Sequence, residues 1–409
     1  MHIGMIHFSG RSFPTDIRIE KEAKALISSG HKITVLTIKT KERGLSHEEI
    51  GNNFFVRRVS LKKTNIFKNI MSRFTLIRSE YVGPIVEFIS SEKPDVLHVH
   101  DFTLLPTVLH AIHINQIDIQ IVADLHENMP ALIAAVRSGL PFIKRVRNFI
   151  FTNDHIWRWH EARLLPECSR IIVVVPESIP RLESYGVSKN KIIVVSNTED
   201  ETTFNPSLYK PDADIIKRYK DYWVISYIGG LGPHRGVDTV LKSIPLVRNT
   251  IPNFKFLIVG VEKTHKEKLH KLIKSLDVAE SVEAIDWQPF DKVLSYVTAS
   301  TVCLVPYNDY EHTQTTVPHK LFQYMISRKP LLVSNCRPLQ RIIEDTEAGV
   351  VFEANDHKVL SERIIYMHKN PEKLLRMAEN GFNAATGKYA WRHDARRLVN
   401  MYKELELNL

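Results

Sequence analysis

One pattern occurs twice along this chain and dictates most of what it can become. A buried strand, His2 to Phe8, runs into a polar loop, Ser9 to Asp16, then a helix from Ile17 to Ser29 stopped by Gly30, then a second strand from Lys32 to Thr37. From Tyr222 the order begins afresh, with a strand to Ile228, a glycine-rich loop Gly229 to Gly236, a helix from Val237 and a second strand from Phe254 to Gly260. A helix set between two short apolar strands crosses over a sheet and returns the chain to a parallel neighbour. The expected fold class is α/β with two Rossmann-like domains, and two such mononucleotide folds imply an interdomain cleft for a ligand. Residues 1–198 read as the first domain, the polar, proline-containing stretch 199–221 as a linker, 222–385 as the second domain and 386–409 as a closing helix.

At 409 residues the chain is long for one domain and suits two of ordinary size. Its 44% hydrophobic and 25% charged residues are those of a soluble globular protein. No apolar run reaches the roughly 18 residues of a bilayer span. The stretch Met1 to Phe8 has no charged leader and reads as a first strand rather than a signal peptide. Three cysteines, Cys168, Cys303 and Cys336, read as reduced core residues of a cytosolic protein.

The net charge of +9 favours anionic partners and admits nucleotides, anionic lipid and nucleic acid alike. Between Asn53 and Glu80, Arg57, Arg58, Lys62, Lys63, Lys68, Arg73 and Arg78 are interleaved with Ile66, Phe67, Ile70, Met71, Phe74 and Ile77. From Asn65 the apolar residues recur at helical spacing, which gives a basic amphipathic helix able to lie on an anionic membrane. Pro141 to Trp159 has similar character. Core-facing helices with solvated backs would show the same spacing. No nucleic-acid module signature accompanies the charge, so nucleic acid is not an expected partner.

Chemistry-bearing residues gather where strands end. In Val305 to Ser334 a strand, a polar loop, a short helix and another strand follow one another, with Thr315 and Thr316 as candidate caps and Pro318 in the first turn. Unpaired N–H groups at such a helix start, joined by the Lys320 ammonium, favour a phosphate or diphosphate, and Gln323 shares the face of Lys320. In the loop Gly229 to Gly236, Gly230 and Gly232 let backbone amides approach a phosphate, and Arg235 stands where a dinucleotide fingerprint would need its third glycine. In the first half, one strand ends in His98-Val99-His100-Asp101 and the next in Asp124-Leu125-His126-Glu127. His98 and His100 share a face, but no third ligand stands at a fixed spacing, so no metal is expected.

The run Pro318-His319-Lys320-Leu321-Phe322-Gln323-Tyr324-Met325, followed by Arg328-Lys329-Pro330, resembles the donor-binding segment of family 4 glycosyltransferases, the retaining group with two facing Rossmann-like domains known as the GT-B architecture. The pair Arg235-Gly236 and the run around His126 resemble further segments of that family, and the likeness covers nearly the whole chain in order. It implies a retaining transfer of a sugar from a nucleoside diphosphate sugar to a glycan or lipid-linked acceptor, in polysaccharide or cell-surface glycan synthesis. By the same resemblance His126, Arg235 and Lys320 are the catalytic residues. Gly10, Gly230, Gly232, Thr315, Thr316, Val317 and Gln323 join Arg235 and Lys320 around the donor, with His100, Asp101 and Glu127 on the acceptor side. No cofactor or metal is implied. The closing helix would cross back to the first domain, and the protein would be cytoplasmic, peripheral on the inner face of the membrane.

Two departures from the family pattern keep other readings open. The family's two glutamates, eight positions apart, fall on Thr315 and Gln323, and neither is acidic. An amide holds ribose hydroxyls less strongly than a carboxylate does. A nucleotide-sugar epimerase of the same architecture, or a catalytically silent relative that binds a glycan or a partner protein, remains an alternative.

Overall fold

The computed structural model describes residues 1–8, 13–14, 16–40, 44–61, 64–202, 204 and 206–407, apart from the side chains of residues 150, 151 and 207. The chain divides into two compact units, Met1–Ser196 with Arg392–Leu409, and Asn197–Trp391.

Among the described residues, the first unit has strands β1 (His2–Ile6), β2 (Lys32–Ile38), β3 (His47–Gly51), β4 (Phe54–Val59), β5 (Val96–His100), β6 (Gln120–Leu125), β7 (Arg170–Val173) and β8 (Ile192–Val194). They pair in the order β3-β4-β2-β1-β5-β6-β7-β8, parallel except for the hairpin of β3 with β4. Helices cover the sheet, so Ile3, Met5 and Ile6 of β1 and all of β5 are buried, as parallel strands require. Phe88, Leu97, Val99, Leu105, Val108 and Ile171 belong to its core. Because β2 and β5 flank β1 on opposite sides, the strand order reverses there, and the carboxyl ends of strands at such a point are where sheets of this kind place their ligands.

The second unit repeats the plan with β9 (Trp223–Ile228), β10 (Phe254–Val261), β11 (Val282–Asp286), β12 (Val302–Val305), β13 (Leu331–Ser334) and β14 (Gly349–Phe352). Their order is β11-β10-β9-β12-β13-β14, all parallel, with the reversal between β9 and β12. Ile225, Tyr227, Ile244, Phe256, Ile258 and Leu332 pack in its core.

One stretch differs from the reading of the sequence. Residues 199–221 are not a bare linker. Asp212 caps a helix, Ala213–Tyr219, by accepting from the backbone N–H groups of Asp214 and Ile215, and Tyr219 packs its ring 6.3 Å from that of Tyr296. Arg57 and Arg58 belong to β4, ahead of the helix Ile66–Thr75. Arg57 pairs with Glu87 at 2.6 Å and Arg58 with Glu48 at 2.6 Å, so both charges are used within the fold. The last helix, Trp391–Glu406, lies mostly in the first unit, where the Tyr402 hydroxyl meets His98 Nδ1 at 2.8 Å. The three cysteines are free and buried, and no described helix is long and apolar enough to cross a membrane.

Candidate active site

In the second unit, two cations meet at the carboxyl ends of β9 and β12. The chain leaves β9 through Gly229, whose φ of +136° disfavours any side chain, and a Cβ there would lie 2.5 Å from Lys320 Nζ. The lysine thus passes directly over the glycine, and its ammonium sits 4.1 Å from the centre of the Tyr227 ring. Tyr227 in turn donates its hydroxyl to the Gly230 carbonyl at 2.7 Å, which fixes the loop. The loop closes on Gly236, with φ at +68°, where a Cβ would fall 1.6 Å from the Pro306 carbonyl oxygen. Asn308 ties the two loops together by donating to the Pro233 carbonyl at 2.8 Å and accepting from the Thr239 hydroxyl at 3.0 Å.

Arg235 places its guanidinium 5.1 Å from the centre of the Tyr307 ring and donates to the Tyr307 hydroxyl. Burial, and then the charge of Arg235, hold the Lys320 ammonium well below the usual lysine pKa. Two like charges are therefore held close together, and Lys320 has no carboxylate partner among the described residues. His234, next to Arg235, is buried with neither ring nitrogen hydrogen-bonded. Burial first, then Arg235, His312 and Lys320, push its pKa down to about 3, so it is neutral. An anion at this point would relieve the repulsion between the two cations.

The helix carrying Lys320, His319–Ile326, has Pro318 as its N-cap and no side-chain cap. Thr315 and Thr316 are not its caps. The Thr315 hydroxyl donates instead to the carbonyls of Glu311 at 3.0 Å and His312 at 3.2 Å, within the preceding turn, and Thr316 is extended. The Val317 carbonyl accepts from the Asn197 side chain at 2.9 Å. Gln323 donates through Nε2 to Glu199 Oε1 at 2.9 Å, and His319 Nδ1 lies 3.1 Å from the same oxygen. A buried carboxylate from the stretch read as a linker thus stands against the face where the family pattern has a glutamate. Trp287, just past β11, is 69% exposed.

The first unit gathers its own charged group at the ends of β5 and β6. In that register His100 lies opposite Asp124. Asp124 Oδ2 lies 2.7 Å from His126 Nε2 and 3.1 Å from His100 Nδ1, and the same carboxylate accepts from Arg18 through Nε at 3.0 Å and Nη2 at 2.8 Å. Burial would lower the pKa of His126, but the carboxylates of Asp124 and Asp101 outweigh it and raise the value to about 10. His126 is therefore an imidazolium at neutral pH, with its side chain 15% exposed. His100 is fully buried and held well below the usual histidine range, first by burial and then by the charge of His98. It supports Asp124 from inside the sheet and does not reach the surface, contrary to the acceptor-side reading. Asp101, in the left-handed region with φ at 68°, faces His126 Nδ1 at 3.7 Å. Glu127 is partly exposed beside them, and Gly10 lies outside the described residues.

Glu22, His98, His100 and Asp124 bring ligand-type atoms within 4.8 Å of one another. Arg18 already bonds Asp124 twice and pairs with Glu22 at 3.0 Å, so a guanidinium supplies the positive charge that a metal would bring. These side chains fit a packed polar network better than a metal centre.

Two family models match the chain: glycosyltransferase family 4 over residues 17–201 and glycosyl transferases group 1 over residues 210–384. Among curated relatives, an uncharacterized glycosyltransferase of Methanocaldococcus jannaschii is 24% identical over 53% of this chain and 60% of its own length. Alpha-D-kanosaminyltransferase of Streptomyces kanamyceticus is 21% identical over 48% of this chain and 50% of its own. The chain spans about half the length of the curated relatives it matches. Among solved structures, sucrose-phosphate synthase from Thermosynechococcus elongatus superposes over 100% of both chains with a TM-score of 0.78 at 15% identity. Anabaena HepE in complex with UDP-glucose does so over 99% of this chain and 100% of its own, with a TM-score of 0.71 at 13% identity. Those likenesses establish the fold as the GT-B type. Matched by the two family models over most of its length, the chain belongs to the group 1/family 4 glycosyltransferases.

Proposed function

We propose that the protein transfers a sugar, with retention, from a nucleoside diphosphate sugar to a glycan or lipid-linked acceptor. The observation that carries this reading is the ammonium of Lys320 held over Gly229 beside Arg235, two cations at a switch point with no carboxylate on the lysine. As the glycosidic bond to the donor breaks, negative charge grows on the diphosphate oxygens, and prepositioned cations stabilise that charge more than they stabilise the intact donor. The acceptor hydroxyl oxygen forms the new bond to the anomeric carbon on the face the diphosphate leaves, and its proton passes to a phosphate oxygen. Arg235 and Lys320 do the neutralising, and the reaction needs no metal.

His126, an imidazolium anchored on Asp124, would donate a hydrogen bond to a hydroxyl of the donor sugar. Gln323, its amide oriented by Glu199, would turn its carbonyl oxygen toward the ribose. Because solved neighbours include complexes with UDP-glucose and with UDP, uridine nucleotides are the first donors to try. The protein would work in the cytoplasm as a peripheral protein, docking on anionic membrane through the helices Ile66–Thr75 and Phe142–Phe151, whose apolar faces are exposed.

The non-acidic residues at Thr315 and Gln323 favour one second reading, that of a relative which binds without transferring. Incubation of the protein with labelled donors, with and without membrane extracts as acceptor, separates the two. Transfer of label to an acceptor supports the proposal, and donor binding without any transfer supports the silent relative.

A further inference from the structure

The carboxylate that holds His126 is itself held by more than its place in β6 requires. Asp124 is fully buried, and Arg18 grips both of its oxygens, Nε donating to Oδ2 at 3.0 Å and Nη2 to Oδ1 at 2.8 Å. A two-point grip of this kind fixes the plane of a carboxylate, where a single donor would leave it free to turn. In that plane Oδ2 accepts from His100 Nδ1 at 3.1 Å and from His126 Nε2 at 2.7 Å. His100 is locked inside the sheet, so the partner at the surface whose direction Asp124 decides is His126. With Nε2 committed to Asp124, His126 offers a ligand its Nδ1–H, which stands 3.7 Å from Asp101, beyond a hydrogen bond.

Arg18 is in turn fixed at both ends. Its backbone N–H, in the first turn of the helix Ile17–Ser28, donates to the capping carboxylate of Asp16 at 3.0 Å. At the other end Nη1 donates to the Val195 carbonyl at 3.0 Å, and Nη2 also pairs with Glu22 at 3.0 Å. Every guanidinium nitrogen is engaged by the protein and the residue is 3% exposed, so Arg18 has none to offer a substrate. Nor does stability account for it, because burying charges costs about what their pairing returns, and apolar side chains would hold the helix to the sheet as well. What an apolar core cannot supply is an acceptor on a fixed line for the ring of His126.

We infer that Arg18 is a positioning residue for His126: by holding Asp124 in one orientation it aims the ring at the donor sugar, and so sets the preference for a sugar-bearing nucleotide over the bare nucleoside diphosphate. The inference rests on the transferase reading, in which His126 meets the donor sugar.

The test follows the His126 Nε2 proton of the full chain by NMR, in the wild type, Arg18→Lys and Tyr402→Phe, with folding checked by circular dichroism. Lysine keeps the charge but has no fork to grip two oxygens. Tyr402→Phe removes a hydrogen bond to His98 in the same buried network without touching Asp124, and serves as the control for lost stability alone. Exchange of the His126 proton with solvent is expected to quicken by about tenfold in Arg18→Lys, the worth of one hydrogen bond to a charged group, and to stay at the wild-type rate in Tyr402→Phe. An unchanged rate in folded Arg18→Lys, or an equal gain in Tyr402→Phe, would overturn the inference. Because a buried arginine replaced by lysine can fail to fold, the coupling is also read in reverse. His126→Ala should shift the Arg18 Nε–H resonance, and an unmoved resonance would likewise overturn it. UDP-glucose and UDP are titrated in parallel, and Arg18→Lys should weaken UDP-glucose while leaving UDP as it was. If His126 responds to Arg18 and no nucleoside diphosphate sugar binds the wild type, the positioning role stands and the transferase reading falls. If donors bind and turn over while His126 does not respond, the transferase reading stands and the positioning role falls.

Discussion

Lys320 carries the most chemistry of any single residue here because its surroundings work against its charge. Burial and Arg235 both disfavour the ammonium, and the negative charge of a bound diphosphate offsets them, so its pKa is expected to rise on binding. Nucleoside diphosphate binding is therefore expected to take up a proton and to weaken as pH rises through the interval between the free and bound values. Calorimetry in buffers of different ionisation enthalpy measures that uptake, and a binding enthalpy independent of buffer at every pH would refute it. His126 behaves in the opposite sense. Its pKa of about 10 lies above the ordinary 6.5, so the stability it contributes is complete below about pH 6.5 and is lost as pH climbs through about 10. Its ring resonances should not titrate between pH 5 and 8 by NMR, and His126→Ala should abolish turnover while the fold persists. Glu199 acts through others. Replacing it with Ala removes a charged hydrogen-bond partner from Gln323 and His319, and should weaken nucleotide binding by about tenfold, with Glu199→Asp restoring part of the loss.

At the level of elements, Gly236 is the joint on which the site is built. Its positive φ and the carbonyl of Pro306 leave no room for a methyl group. Gly236→Ala should destabilise the second unit by roughly 2–4 kcal/mol, measured by urea unfolding, and should misplace Arg235. The alternation of strand and helix was legible in the sequence because each parallel strand is a short apolar run bounded by polar loops. Arg235 and Lys320 stood out in the sequence because one lies in a glycine-rich loop after a strand and the other in the first turn of a helix. The short helix Ala213–Tyr219 was hidden by the polar, proline-containing stretch around it, and the hairpin of β3 and β4 by its charged residues. The partners of the key side chains were not legible at all. Asp124 meets His100 through strand register, Arg18 comes from a helix 106 residues earlier, and Glu199 reaches Gln323 across 124 residues. Such pairings are set by tertiary packing, which no local pattern encodes.

For the whole molecule, two units each put charged side chains at the carboxyl ends of their own parallel sheet. The second unit presents cations suited to a diphosphate, and the first an imidazolium aimed from within by a buried guanidinium. Its charge of +9 and exposed apolar helices should bring the protein to anionic vesicles and leave it off zwitterionic ones. Flotation measures this, and equal recovery with both lipids would argue against docking. The most direct test of the diphosphate site is a calorimetric titration of UDP into the wild type, Arg235→Ala and Lys320→Ala, with folding checked by circular dichroism. At least a tenfold loss of affinity is predicted in each variant, and affinity unchanged in both folded variants would contradict the site.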